Sequence, residues 1–153
     1  MLIKVRKSGF PLEFIPIAER IKLIVLVDER IFKQALYFLR TLKDNGHPSM
    51  SISIHFSIIQ LLQKNFVELR FRAVEEVGVP FQSIGIEITE TVFSSIFQEI
   101  NRILGLLKSS GIQITIDDFG IGYSSLARER ELNVNCLRID KMFIDKLLTI
   151  KKI

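Results

Sequence analysis

The sequence predicts an α/β fold built on a parallel sheet. Three short segments alternate strictly between apolar and polar residues, which is typical of strands with one buried face. Segments with helical spacing of apolar residues separate them, and successive strands start about 30 residues apart, the length of one strand–helix–strand unit. Strands that alternate with helices in this way form parallel sheets. The predicted strands are residues 51–56, 84–89 and 112–117, followed by a fourth at 135–139.

Two helices are predicted before the first strand. Phe14–Ile24 has the composition of a short helix, and Asp28 is predicted to be the N-cap of a second helix that runs to about Lys43. The turn sequence at residues 45–48, Asn-Gly-His-Pro, ends this second helix. Its apolar positions have helical spacing: Ile31, Ala35, Leu36, Leu39 and Leu42.

Further helices are predicted between and after the strands. Ser57 is expected to cap a helical segment that ends near Gly78, and Gly111 closes the next helix. The segment Met142–Leu148 is predicted to begin a last helix. The apolar positions of the helix before Gly111 are Val92, Phe93, Ile96, Ile100, Ile103, Leu104 and Leu107.

The composition restricts the class of protein. The chain has 153 residues, enough for one domain, and its net charge of +4 comes from basic residues spread along the sequence. No basic patch interleaved with aromatic residues is present, which disfavours a nucleic-acid polymer as partner. The single cysteine excludes an internal disulfide and fits the cytoplasm. No uncharged apolar run is long enough for a transmembrane helix, so membrane insertion is not expected.

The predicted sheet has one apolar face and one polar face. Residues 52, 54, 56, 84, 86, 88, 112, 114 and 116 are Ile or Phe and can pack against helices. The opposite face is rich in Ser, Thr, Gln and ionisable groups, which are costly to bury without a role. On this polar face each strand ends near an ionisable side chain: His55, Glu87, Asp117 and Arg138. Parallel α/β folds place their sites at such carboxyl ends.

The carboxylates at these strand ends could bind divalent metal ions. Glu87, Asp117 and Asp118 supply the hard oxygen ligands that Mg²⁺ and Mn²⁺ take, and two such ions could clamp a phosphodiester. Taken singly, each acid is more often a helix cap or loop-end residue, but their convergence on one face favours a site. Glu90 is either a nearby carboxylate or part of a helix's first turn.

Two other side chains at this edge have alternative roles. His55 alone would more often be a core histidine, but on the polar face it is a candidate ligand or hydrogen-bond donor. Arg138 either pairs with Asp117 or contacts a phosphate. The segment at 118–125, DFGIGYSS, is glycine-rich and can approach a ligand closely, although such a loop is weak evidence by itself.

Four motifs, in order along the chain, resemble those of the EAL phosphodiesterase family. They are FIPIAE at 14–19, IEITE at 86–90, IDDFGIGYSSL at 116–126 and LRIDKMFI at 137–144. The resemblance implies a TIM-like (β/α) barrel, present here in part with four or five parallel strands and flanking helices. It also implies bacterial signalling through hydrolysis of cyclic di-GMP at a two-metal site that holds Mg²⁺ or Mn²⁺.

The resemblance carries over to individual residues. Glu87 matches a metal-ligand glutamate, Asp117 the aspartate that bridges two metals and acts in catalysis, and Asp118 a ligand of the second metal. The loop that begins at Phe119 matches one that supports metal binding and dimerisation; its polar and glycine residues are Gly120, Gly122, Tyr123 and Ser124.

Several positions depart from the family pattern. Residues 1–6, MLIKVR, lack the glutamate of the Glu-Ala-Leu motif. His55 stands where the family usually has a metal-binding asparagine, Arg138 where it has a lysine thought to hold the nucleophilic water, and Ile121 where it has threonine. The chain also ends after the fifth family strand. We therefore expect residues 1–153 to form a single truncated EAL-type domain that lacks the first-strand motif and the C-terminal part of the barrel.

Three functions follow as hypotheses, and they leave open whether the chain is an enzyme. The favoured one is a domain that binds cyclic di-GMP or metal in signalling, with impaired hydrolysis. The second is an active phosphodiesterase that another chain, or a longer native protein, completes. The third is a protein-interaction domain that keeps only the scaffold, with strand edges that favour self-association or a protein partner.

Overall fold

The computed structural model describes residues 11–21, 23–89, 96–119, 132–142 and 144–145. Within these ranges one or two α-helices precede each of the first three strands. The helices are α1 (Pro11–Arg20), α2 (Ile24–Asp44), α3 (Ile58–Leu61), α4 (Phe66–Val77) and α5 (Phe97–Ser109), and the strands are β1 (Ile52–His55), β2 (Ile84–Thr89), β3 (Gln113–Phe119) and β4 (Cys136–Ile139). None of the described helices is both long enough and apolar enough to cross a membrane.

The four strands form one parallel sheet in the order β1-β2-β3-β4. The predicted parallel α/β arrangement is therefore confirmed, as are the positions of the four strands to within two residues. The largest difference is at β3, which extends to Phe119, two residues past the predicted end. This extension includes Asp118, which was expected to begin a loop.

The apolar face of the sheet packs against the helices as predicted. The isoleucines of β2 and β3 on this face are 0–1% exposed, so they form the centre of the core. Buried residues of α2, α4 and α5 cover them, and burial of this apolar area supplies the main stabilisation of the fold. The helix residues in this core include Phe32, Leu36, Leu39, Val74, Ile100, Leu104 and Leu107.

The described helices begin and end at residues that differ in part from those predicted. Ser57 is the N-cap residue of a helix, as predicted, and its backbone N–H donates to Gln60 Oε1 at 2.7 Å, while its own hydroxyl makes no hydrogen bond to the helix. However, the predicted segment from Ser57 to Gly78 is two helices, α3 and α4. Gly78 ends α4 with a left-handed φ of 72°, and Gly111, with φ of 98°, forms the turn after α5. Of the predicted helix residues before α5, Val92 and Phe93 lie outside the described residues.

Asp28 is not the N-cap of the second helix, so that prediction is wrong. Helix α2 begins four residues earlier, at Ile24, and Asp28 lies inside it with only 5% exposure. The predicted apolar face of this helix is confirmed at Leu36 and Leu39, which are buried, but at its start Phe32 is buried and Ile31 is exposed. An aspartate at a helix start is a common cap, which explains the prediction, but tertiary pairing holds this one in the core.

The partner of Asp28 is Arg70 of α4. The two side chains form a buried ion pair, and the Arg70 guanidinium also lies 4.7–5.3 Å from the ring centres of three phenylalanines. Burial raises the pKa of the Asp28 carboxyl to about 6, although the positive charge of Arg70 acts in the opposite direction. The three rings belong to Phe32, Phe56 and Phe66.

The segment before β4 is held to both α5 and β3. Asn133 donates from its backbone N–H to Asn101 Oδ1 at 2.8 Å, and its side-chain amide donates to the Asn101 carbonyl at 3.0 Å. Asn135 accepts from the Ile114 N–H at 2.9 Å through its side chain and donates its own N–H to the Ile114 carbonyl at 2.8 Å. These four hydrogen bonds fix where β4 begins, and thereby the position of Arg138.

Candidate functional site

The strand register brings the predicted ionisable residues to one face at the carboxyl ends of the strands. His55 is aligned with Glu87, and Glu87 with Thr115, while Thr89 is aligned with Asp117. Register partners in a parallel sheet share a face, so His55, Glu87 and Asp117 lie on the side of the sheet opposite the core. Strand alternation and the parallel arrangement of the strands predicted this convergence.

Arg138 links the two central carboxylates of this face. Its Nη2 donates to Glu87 Oε1 at 2.9 Å and its Nη1 donates to Asp117 Oδ2 at 2.9 Å. The planar guanidinium presents several donors in a fixed fork, so one side chain can bridge carboxylates on two different strands. Of the two roles considered for Arg138, the structure shows the pairing with Asp117, and it adds Glu87 as a second partner.

The pair Asp117-Asp118 lies at an irregularity of β3. The register between β3 and β4 shifts between Ile116 and Phe119, and Asp118 adopts a left-handed φ of 57°. Non-glycine residues seldom adopt this conformation, although aspartate tolerates it better than most. The Asp118 N–H lies 3.1 Å from Asp117 Oδ1, to which it donates. The bulge thus places the Asp117 carboxylate beside Arg138 while Asp118 is exposed to solvent.

The charge balance of this cluster is set by its own side chains. Two carboxylates at one edge would repel each other, and the guanidinium between them compensates for one of the two negative charges. The hydrogen bond to Glu87 raises the pKa of Arg138 above its ordinary value, and the charges of Glu87 and Asp117 act in the same direction. Glu87 and Asp117 are 21% and 25% exposed and Arg138 is 54% exposed, so the cluster opens to solvent on its arginine side.

The carboxylates of this cluster are suitable ligands for a metal ion, but their pairing with Arg138 disfavours metal binding. Glu87 and Asp117 are the hard oxygen ligands that Mg²⁺ and Mn²⁺ require. In the described arrangement, however, an oxygen of each already accepts from Arg138, and the guanidinium lies where a shared cation would neutralise them. Among the described residues no group of three or more His, Cys, Asp or Glu side chains is arranged to hold a metal. The side chains in this arrangement therefore do not fit a divalent ion between Glu87 and Asp117.

Several predicted site residues lie outside the described residues, so their roles stay predictions. Phe119, at the start of the predicted loop, is described: it is the last residue of β3 and is half-buried, and its carbonyl accepts from the Asp140 N–H at 3.0 Å. The residues not described are Glu90, Gly120, Gly122, Tyr123 and Ser124.

Sequence reasoning missed the buried Asp28–Arg70 pair, for which a signal was present. Asp28 precedes the buried Phe32 by four residues, and Arg70 follows the buried Phe66 by four. A charged residue that shares the apolar stripe of its helix must find a partner in the core. Two such residues of opposite sign on neighbouring helices therefore indicated an ion pair.

A parallel α/β sheet with its ionisable residues at the carboxyl strand ends defines the structural class of this chain. Comparison with known protein families identifies the family: the family model for the EAL domain matches residues 5–152. The chain belongs to the EAL domain family. The predicted family and the predicted type of fold, part of a TIM-like barrel, are both confirmed.

The chain is similar to parts of longer bacterial proteins. It is 33% identical over 139 residues to signaling protein YkoW of Bacillus subtilis, a match that covers 91% of this chain and 17% of YkoW. It is 32% identical over 137 residues to the bifunctional diguanylate cyclase/cyclic di-GMP phosphodiesterase MucR of Pseudomonas aeruginosa, covering 90% of this chain and 20% of MucR. The chain thus spans about a fifth of the length of these relatives.

Two solved structures show the same fold. The MucR phosphodiesterase in complex with cyclic di-GMP superposes with a TM-score of 0.86 at 30% identity, covering 96% of this chain and 60% of that one. The EAL enzyme Bd1971, bound to cAMP and cyclic di-GMP, gives a TM-score of 0.83 at 28% identity, covering 96% of this chain and 41% of that one.

Proposed function

We propose that this chain is a cyclic di-GMP-recognising EAL domain whose capacity for hydrolysis is impaired. The observation that carries the proposal is the Arg138 guanidinium, which bonds both Glu87 and Asp117 at 2.9 Å. The family membership and the cyclic di-GMP in the MucR structure support the choice of ligand. The proposed setting is bacterial cytoplasmic signalling, because the relatives are bacterial and a free Cys136 fits a reducing compartment.

The proposed impairment concerns the metal ions of the reaction. Mg²⁺ or Mn²⁺ would use Glu87 and Asp117, with Asp118 and His55 as the further candidate ligands. Such an ion would supply electrostatic stabilisation of the phosphodiester and an activated water. In this chain the ion would compete with Arg138 for the two carboxylates. Since Arg138 is half-exposed, it can turn outward, and its guanidinium then becomes available to a phosphate of the nucleotide.

Binding and hydrolysis should therefore separate in experiment. We expect calorimetry to detect cyclic di-GMP binding to the whole chain in the presence of EDTA, and the linear dinucleotide to serve as the comparison ligand. With Mn²⁺ added, chromatography of the products should show cleavage about 10- to 100-fold slower than by the EAL domain of MucR, since disturbed metal ligation costs factors of this size.

Each outcome of this experiment decides between the hypotheses. Cleavage at the rate of the MucR domain would contradict the proposed impairment and favour an active phosphodiesterase. Slow cleavage that becomes faster when another chain, or a longer form of the protein, supplies more of the barrel would favour a phosphodiesterase that these parts complete. No binding of cyclic di-GMP, with or without Mn²⁺, would contradict the proposed ligand.

A protein-interaction function is the second candidate, and one observation favours it. Strand β4 lies at an edge of the described sheet, and all four of its residues are exposed, including Leu137 and Ile139. Exposed apolar residues on a strand edge favour pairing with another chain. We expect light scattering to show self-association that increases with protein concentration. A monomer at all concentrations would contradict this function.

A further inference from the structure

The cluster of Glu87, Asp117 and Arg138 has the two carboxylates of a metal site, but its positive charge comes from an arginine side chain. Two strands supply the carboxylates, and the third supplies a guanidinium where the charge of a divalent ion would otherwise be needed. The guanidinium bonds one oxygen of each carboxylate and occupies the space between them. A divalent ion bound to the same two carboxylates would be repelled by this positive charge, so each cation weakens the binding of the other.

The position of Arg138 is determined by the fold as well as by its charge. Asn135, three residues earlier, joins β4 to β3 by hydrogen bonds of 2.9 Å and 2.8 Å to Ile114. After β4, the Asp140 N–H donates to the Phe119 carbonyl at 3.0 Å, and Asp140 Oδ1 accepts from the Met142 N–H at 2.6 Å. Arg138 thus extends from a strand held at both ends, and its guanidinium is kept near the carboxylates.

We propose that Arg138 is the resident cation of this site and a competitor of divalent metal ions for Glu87 and Asp117. The inference rests on the proposed function only where it concerns cyclic di-GMP. The competition between Arg138 and a metal ion concerns only this chain and the metal. Its consequence is weaker metal binding: the guanidinium compensates for one of the two carboxylate charges, and a metal ion that replaces it at both carboxylates displaces two charge-assisted hydrogen bonds.

Mn²⁺ binding by the whole chain tests the competition, read from the electron paramagnetic resonance signal of free Mn²⁺ at constant ionic strength. We expect weak binding by the wild type and at least about tenfold tighter binding by Arg138→Ala, a factor that corresponds to about 1.4 kcal/mol. Arg138→Lys should fall between them, because a single ammonium group lacks the fork that bridges two carboxylates.

The matched control is Arg102→Ala. Arg102 is exposed to a similar degree and also bonds a carboxylate, that of Glu99, but both residues lie on α5. This variant removes the same charge and should leave Mn²⁺ affinity unchanged. If Arg102→Ala tightens binding as much as Arg138→Ala does, the effect is one of net charge and the proposal fails.

A second pair of variants locates the bound ion. Adding Glu87→Gln or Asp117→Asn to Arg138→Ala should abolish the gained affinity. Tight binding by the wild type, or a gain that survives both additions, would overturn the proposal. Circular dichroism verifies that each variant folds, and Arg138→Lys provides the same comparison if Arg138→Ala does not fold. Calorimetry with cyclic di-GMP in EDTA is independent of these results, so failure of the proposed ligand is distinguishable from failure of the competition.

Discussion

Replacing Asp28 by alanine is expected to lower the free energy of unfolding by about 3–5 kcal/mol, the cost of leaving a buried charge without its partner. Arg70 would keep its guanidinium in a core where its side chain is only 6% exposed, surrounded by three aromatic rings. The rings attract the cation but cannot accept strong hydrogen bonds from it. Urea unfolding followed by circular dichroism measures the loss. A domain of this size has a total stability of about 5–15 kcal/mol, so the variant should be only marginally folded.

Two control variants separate the lost partner from the lost side chain. Glu68→Ala removes an exposed carboxylate paired with Arg72 on α4, and surface pairs of this kind contribute at most about 1 kcal/mol. The double variant Asp28→Leu with Arg70→Met removes both charges together, and it should recover most of the stability lost by Asp28→Ala. A double variant as unstable as the single one would show that packing, and not the unpaired charge, causes the loss.

The sheet was predictable because its pattern repeats at short range. Alternation at residues 52–56, 84–89 and 112–117 assigns each side chain to a face from its neighbours alone. The same alternation assigned Glu87 and Asp117 to the polar face, where the structure has them. Parallel pairing then brings the carboxyl strand ends together, so their convergence required no knowledge of distances.

What could not be predicted depends on contacts between distant elements. Arg138 is 51 residues from Glu87 and 21 from Asp117, and the β3 irregularity before Phe119 decides which carboxylates it reaches. No local pattern encodes that register shift. At Asp28 the local sequence did carry a signal, that of a helix cap, but it was misleading. The pairing with Arg70, 42 residues away, determines the position of Asp28 instead. Both differences arise where a charged side chain finds its partner through the fold.

Phe56 connects the core to the candidate site, and Phe56→Ala is expected to cost about 3–5 kcal/mol. The ring is fully buried and packs edge-on against Phe66 with a centroid distance of 5.2 Å, while the guanidinium of Arg70 lies 5.3 Å from its centre. The Phe56 N–H donates to the Glu87 carbonyl at 2.9 Å, so this position also holds β1 against β2 beside Glu87. Urea unfolding measures the loss, and Leu62→Ala, at a partly exposed position, is the comparison and should cost much less.

Phe56 stabilises the fold in part through its contact with the Arg70 guanidinium. This part can be measured by changing Phe56 with and without Arg70 present. Phe56→Leu keeps most of the apolar volume but removes the aromatic face, so part of its cost is the lost attraction to Arg70. In the background of Asp28→Leu with Arg70→Met that attraction is already absent. We therefore expect Phe56→Leu to cost about 0.5–2 kcal/mol less there than in the wild type, a coupling that a double-mutant cycle reads directly. Equal costs in the two backgrounds would mean that the Phe56 ring stabilises the fold by packing alone.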